Sequence, residues 1–200
     1  MTAAMAERVQ MSHDEPWDAL LETWRGLDVP EGWHAEISEG QIHVVPPPHA
    51  QHNRITAKLQ RALLTVLPDE WEVFQTLGIQ IVASEKLYIP DLVVIPDDVV
   101  AAVPANVSTP IDAGEALLVV EVTSPFNAAD DRGKKRGAYA QAGIPVYLLV
   151  DRFDPHGPTS TLYTDPLNGA YRLARRVPFG EQLQLPEPFD LKIDTSAFPI

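Results

Sequence analysis

The stretch ALLVVEVTSPFNAADDRGKKRGAYAQAGIPVYLLVD, residues Ala116–Asp151, decides how this chain folds. Its opening run, Ala116–Val122, is almost continuously apolar, as expected of a central strand covered on both faces. Glu121 near the end of that run is out of place among apolar neighbours. Asn127–Ala142 reads as a helix closed by Gly143 and Pro145, and Val146–Val150 as a second apolar strand ending at Asp151.

Upstream, Leu87–Ile95 reads as another apolar strand with Pro90-Asp91 inside it, and residues 71–83 as a strand before that. From about His49 to Leu67, Ile55, Leu59, Leu63 and Val66 recur near a period of 3.6 until Pro68, which predicts the clearest helix in the chain. Trp33–Val45 reads as a hairpin around Ser38-Glu39-Gly40, and Pro16–Leu27 as a short amphipathic helix. Residues 96–114 read as a loop with at most a helical turn. Downstream, Thr161–Tyr163 and Tyr171–Ala174 flank Asn168-Gly169, a strong hairpin signal, and the proline-rich end is expected to lie across the body. The resulting fold class is mixed α/β (α+β), a central sheet with one long helix against it and added amino-terminal and carboxy-terminal hairpins. Residues 1–14 are expected to be a tail and residues 15–200 a single domain.

Composition narrows the function classes. The chain of 200 residues has 15 Lys and Arg against 28 Asp and Glu, a net charge of −13, which argues against capture of nucleic acid by a broadly basic surface. Cysteine is absent, so disulfides, zinc–thiolate sites and thiol nucleophiles are excluded, which fits a reducing cytoplasmic setting. No stretch approaches the length of an apolar membrane span, so no membrane partner is expected.

Three features carry chemistry together. Asp91 and Glu121 lie on core-like strands, separated by enough chain to stand on neighbouring strands, and Lys135 is on the helix that follows Glu121. Burying ionised carboxylates is costly unless a cation neutralises them. Oxygen ligands without cysteine select Mg2+ or Mn2+, held by Asp91, Glu121 and the backbone carbonyl of Val122. That arrangement suits phosphodiester hydrolysis, with Lys135 orienting the attacking water or stabilising phosphate charge. Lys135 aligns with Tyr139 and Ala142 at i+4 and i+7, the side that should face the sheet. Arg132, Lys134 and Arg136 surround it and could touch phosphates, although such a cluster is also the ordinary composition of a solvated helix face.

The residues from Pro90-Asp91 through Val120-Glu121-Val122-Thr123-Ser124-Pro125, Asp131, Lys135 and Tyr139 to Ala142-Gly143-Ile144-Pro145-Val146-Tyr147 resemble the large bacterial family of putative restriction endonucleases within the PD-(D/E)xK nuclease superfamily. The resemblance covers most of the chain from about Glu36 and rests on segments of the form E-V-x-S-P-S, D-x-x-x-K-x-x-x-Y and A-G-[IV]-P-x-Y-W-x-V-D. It implies a restriction-endonuclease-like core, an Mg2+-dependent endonuclease site and a DNA substrate. The superfamily's usual lysine position, two residues after the acid, is Thr123 here, and Lys135 matches a lysine migrated to the following helix. Phe126 and Leu148 also depart from the family pattern.

Glu36 matches a family segment and could be an additional metal-site acid or an exposed strand residue. His52 could stand near the scissile phosphate or bond a carbonyl at a helix start. Thr123 and Ser124 could donate to Glu121 or phosphate, or serve the strand end only. Asp97-Asp98 follows a proline in loop composition and reads as solvated. Two other readings compete with the nuclease: a non-catalytic nuclease fold used for binding or dimerisation, and a histidine metal site built on His49 and His52. The acidity of the chain favours a homodimer or another partner to supply positive surface.

Overall fold

The computed structural model describes residues 8–9, 17–104 and 109–199. The tail expected over residues 1–14 lies outside them except for β1 (Arg8–Val9), which pairs with β3. Next come α1 (Trp17–Arg25) and the hairpin of β2 (His34–Ser38) and β3 (Gln41–Val45). Glu39 and Gly40 both take positive φ in its turn, the conformation a tight two-residue hairpin loop demands. The long helix α2 (Ala50–Leu63) buries His52, Ile55, Thr56, Leu59 and Leu63 on the stripe read from the sequence.

The two strands expected over 71–83 and 87–95 are four: β4 (Trp71–Phe74), β5 (Ile79–Ile81), β6 (Lys86–Tyr88) and β7 (Leu92–Pro96). Each expected strand is split between different sheets. At 89–91 the polar groups leave the strand ladder: the Ile89 N–H donates to Glu36, and Asp91 accepts the N–H of Val122. Pro90 between them has no N–H to give, so one apolar run crosses from sheet to sheet there.

Residues 96–114 hold α3 (Asp97–Ala101) and β8 (Ile111–Asp112), after which β9 (Leu118–Val122) is buried at every position. The helix expected over 127–142 is not uniform. It runs as α4 (Ala128–Asp130), a π-helical turn over Asp131–Lys135 and α5 (Arg136–Gln141). Gly133, a poor helix former, sits inside the wider turn. Then follow β10 (Val146–Asp151), the hairpin β11 (Thr159–Leu167) and β12 (Ala170–Pro178), and a closing pair β13 (Gln182–Gln184) and β14 (Lys192–Asp194).

Instead of one central sheet, the described strands form two six-stranded sheets, ordered β1-β3-β2-β6-β5-β8 and β12-β11-β10-β9-β7-β4, with β13 and β14 apart. Within these, β9 and β10 are parallel, as are β5 and β8, and the other pairs are antiparallel. The pleat of the second sheet sorts side chains by parity. Leu118, Val120 and Val122 of β9 pack with Leu92 and Val94 under Ile55, Leu59 and Leu63 of α2, where the carboxy-terminal Leu183, Phe189 and Ile193 also pack. Val119, Val93 and Tyr147 face the other way, against Ala138 and Tyr139 of α5 and Ile79, Ile81 and Tyr88 of the first sheet. Glu121 shares the parity of Val119, so the alternation that makes β9 a core strand also aims this carboxylate at α5.

Candidate active site

Register brings the two strand acids level. β7 and β9 run antiparallel with Leu92 opposite Val120 and Val93 opposite Val119, so one further step aligns Asp91 with Glu121. Asp91 Oδ2 accepts the Val122 N–H at 2.7 Å and meets His52 Nε2 at 3.0 Å. Burial lowers the basicity of His52, but the hydrogen bond and charge of Asp91, then Glu121 and the Val122 carbonyl, outweigh it and leave its pKa above 6.5. The His52 Nδ1 atom is buried without a partner among the described residues. The imidazole therefore faces Asp91, while His49 stands exposed at the helix N-cap. His49 and His52 are thus divided between the outside and the inside of the fold and do not form a histidine metal site.

Lys135 is 4% exposed and is the positive centre of the site. Its Nζ donates to Glu36 Oε1 at 2.9 Å and to Glu121 Oε1 at 3.1 Å, and lies 3.7 Å from Asp131 Oδ1. Glu36 belongs to β2 of the first sheet and Glu121 to β9 of the second, so this ammonium ties the sheets together. Burial alone would drive Lys135 toward its neutral form, yet Glu121, Glu36 and Asp131 reverse that and hold its pKa well above the usual lysine range. The Tyr139 hydroxyl, one turn beyond Lys135, adds a 2.6 Å bond to Glu121 Oε1.

Negative charge is in excess around this lysine. Glu36, Glu121 and Asp131 are all buried, and Asp91 stands beside Glu121. Burial, with Asp91 and Glu36 adding to it, pushes Glu121 up to about 7 against the pull of Lys135 and Tyr139. Burial likewise lifts Asp131 well above the carboxylate range. Such a cluster suits a cation, and its donors are hard oxygens of the kind Mg2+ or Mn2+ prefers. Among the described residues, no group of three or more His, Cys, Asp or Glu side chains is arranged to hold a metal ion. Asp91 and Glu121 stand level on adjacent strands, and the Val122 N–H is bonded to Asp91.

The residues expected to meet phosphates are placed differently. Arg132 forks onto Asp151 at 2.6 and 2.9 Å and also donates to the Phe153 carbonyl. Asp151 is 3% exposed and takes the Thr123 hydroxyl and the Phe153 N–H as well, so Arg132 and Thr123 form a latch across the carboxyl ends of β9 and β10. Ser124 is turned to Asn127, to which its N–H and hydroxyl both donate at 2.7 Å. Lys134 and Arg136 are exposed, the first paired with Glu39 and Asp130, the second over the Tyr163 ring. Asp97 and Asp98 open α3 in solvent, as read.

Sequence reasoning did not assign parts to Asp131, Tyr139 and Asp151. The spacing of Asp131, Lys135 and Tyr139 at successive i+4 positions was the available signal for the first two. Nothing in the sequence pointed from Arg132 to Asp151.

Comparison with known proteins agrees with this architecture. An uncharacterized protein of Synechocystis sp., sll1609, is 29% identical over 122 residues, which are 60% of this chain and 67% of that protein. A solved structure described as "a putative nuclease belonging to DUF820" from Anabaena variabilis is similar in fold, with a TM-score of 0.69 over 91% of this chain and 96% of that one at 18% identity. Residues 18–196 match the Uma2 family, described as "Putative restriction endonuclease". That match takes in every described strand but β1 and every site residue from Glu36 to Asp151, and the chain belongs to the Uma2 family.

Proposed function

We propose that this protein is a metal-dependent endonuclease that hydrolyses DNA phosphodiester bonds. The observation that carries the reading is the buried Lys135 ammonium set between Glu36 and Glu121, with more carboxylates around it than one lysine neutralises. Asp91, Glu121 and the Val122 carbonyl would hold the Mg2+ or Mn2+ ion. Bound there, the ion would supply positive charge for the phosphate and a more acidic water.

The chain's own groups do the rest. Lys135, fixed in direction by its bond to Glu36, would donate a hydrogen bond to the attacking water. His52 is held by Asp91 with its charge favoured, so it would orient that carboxylate from behind the metal. Lys134 and Arg136 are the exposed cations of the helix and would meet the nucleic-acid backbone, while Arg132 keeps the strand ends in place. At a net charge of −13 such contact is local and salt-sensitive, and a homodimer would bring a second basic helix to the same substrate. The reading treats residues 15–200 as one domain working in the cytoplasm, in keeping with the absence of cysteine. No helix among the described residues is long and apolar enough to cross a membrane.

The test is Mg2+- or Mn2+-dependent cleavage of plasmid and single-stranded DNA by wild type, Asp91→Ala, Glu121→Gln and Lys135→Ala. Each substitution should lower the rate by about 100-fold or more. Activity that survives all three sinks the assignment. A second reading, a nuclease fold kept for binding or dimerisation, is favoured by the engagement of Glu121 Oε1 with Lys135 and Tyr139. Calorimetry showing no divalent-ion binding, with self-association at micromolar concentration, would select it.

A further inference from the structure

Asp131 has no part in the reading above, yet it is the most deeply enclosed acid of the site. It is 0% exposed, and neither carboxylate oxygen has a hydrogen-bond partner among the described residues. Removing a charge from water without such partners is expensive, and an amide or a small polar side chain would cost the fold less. Its nearest cation is the Lys135 ammonium, 3.7 Å from Oδ1. That separation is short enough for an ion pair and too long for a hydrogen bond. The ammonium gives its hydrogen bonds to Glu36 and Glu121 instead.

The local backbone keeps this acid near the lysine. Asp131 and Lys135 open and close the π-helical turn, a form that recurs where a helix is reshaped for function. The Tyr147 hydroxyl, from β10, donates to the Asp131 carbonyl at 3.0 Å and ties the turn to the sheet. Asp131 is thus held on a rigid element beside a flexible lysine that it does not yet grip.

We propose that Asp131 is a positioning residue, a second station that takes the Lys135 ammonium when a divalent cation draws Glu121 away. The proposal rests on the metal site described above. A cation on Glu121 removes one of the two acceptors of Lys135 and repels its charge. The nearer oxygen of Asp131 needs less than an ångström of approach to accept a hydrogen bond, which rotation about the lysine stem supplies. Glu36 and Asp131 then keep the ammonium inside the site instead of releasing it toward solvent.

The test compares wild type with Asp131→Asn, which keeps the shape and removes the charge. Four measurements are made: thermal unfolding without divalent ions, calorimetric Mg2+ binding, steady-state cleavage of DNA, and NMR of the lysine ammonium signals, with Lys135 assigned through Lys135→Arg. The expected variant unfolds at the wild-type temperature or above it and binds Mg2+ within about threefold of wild type. Its Lys135 signal is exchange-protected without Mg2+ and lost on adding it, whereas the wild-type signal shifts but persists. On DNA its kcat falls at least tenfold with KM unchanged. An Asp131→Asn protein whose Lys135 signal persists with Mg2+ overturns the station while leaving the metal site standing. A wild type that neither binds Mg2+ nor shifts its Lys135 signal overturns both. Should Asp131→Asn fail to fold, Asp131→Ser repeats the measurement, and failure of both makes the acid structural and ends the proposal.

Discussion

Replacing Glu121 with Gln measures directly whether the buried cluster carries too much negative charge. Glu121 is 2% exposed, and burial, with Asp91 and Glu36 behind it, pushes its carboxyl up to about 7 in the folded protein. In the unfolded chain the same group titrates near its ordinary 4.5. Between those values the folded state binds more protons than the unfolded one, so stability falls as pH rises through that window. At about 1.4 kcal/mol per unit the difference amounts to about 3 kcal/mol, fully lost only once the pH has risen past the folded value of about 7. Glutamine has no such charge to acquire. Asp131 and His52 also have raised folded values, to which the Glu121 charge contributes, and add slopes of the same sign, so the gap between the two curves reports Glu121 together with its coupling to them. Urea denaturation in divalent-free buffer, at steps from pH 4.5 to 8, gives the two curves. Glu121→Gln should gain on wild type by about 3 kcal/mol across that range. Mg2+ should then stabilise wild type at neutral pH and leave the variant unchanged. Parallel curves from pH 4.5 to 8 would refute the reasoning.

Lys135→Met leaves the buried acids without their counter-charge, so it should cost about 3–5 kcal/mol at pH 8 and far less near pH 5, below the raised pKa of Glu121. A loss independent of pH would mean that packing, not charge, holds Lys135. Arg132→Ala strips the buried Asp151 of its forked partner and should cost about 2–4 kcal/mol, whereas Lys134→Ala, on an exposed pair, should cost under about 1, both read from denaturant midpoints. Tyr139→Phe removes the 2.6 Å donor to Glu121 and should raise that carboxyl further while destabilising the fold by about 1–3 kcal/mol. Carboxyl NMR titration and urea melts check the two effects separately.

Much of this protein follows from its sequence alone. The 3.6 period over Ile55, Leu59 and Leu63 made α2, and Glu39-Gly40 and Asn168-Gly169 made hairpin turns through positive φ at each residue. The apolar run 116–122 made a strand covered on both faces, and the i+4 spacing of Lys135 and Tyr139 aimed both inward. Such signals are local, because backbone sterics and one-sided burial act over a few residues. Only the tertiary structure decided which sheet each strand joined. Apolar pattern records that a residue is buried and not against what, so Leu87–Ile95 could be divided at Pro90 without a trace in its periodicity. The charges were settled the same way. Lys135 reaches Glu36 across 99 positions of chain, and Arg132 reaches Asp151 across 19, distances over which sequence carries no pairing information. A buried charge must find a partner, but the register of two sheets and a widened helical turn determines which one it finds.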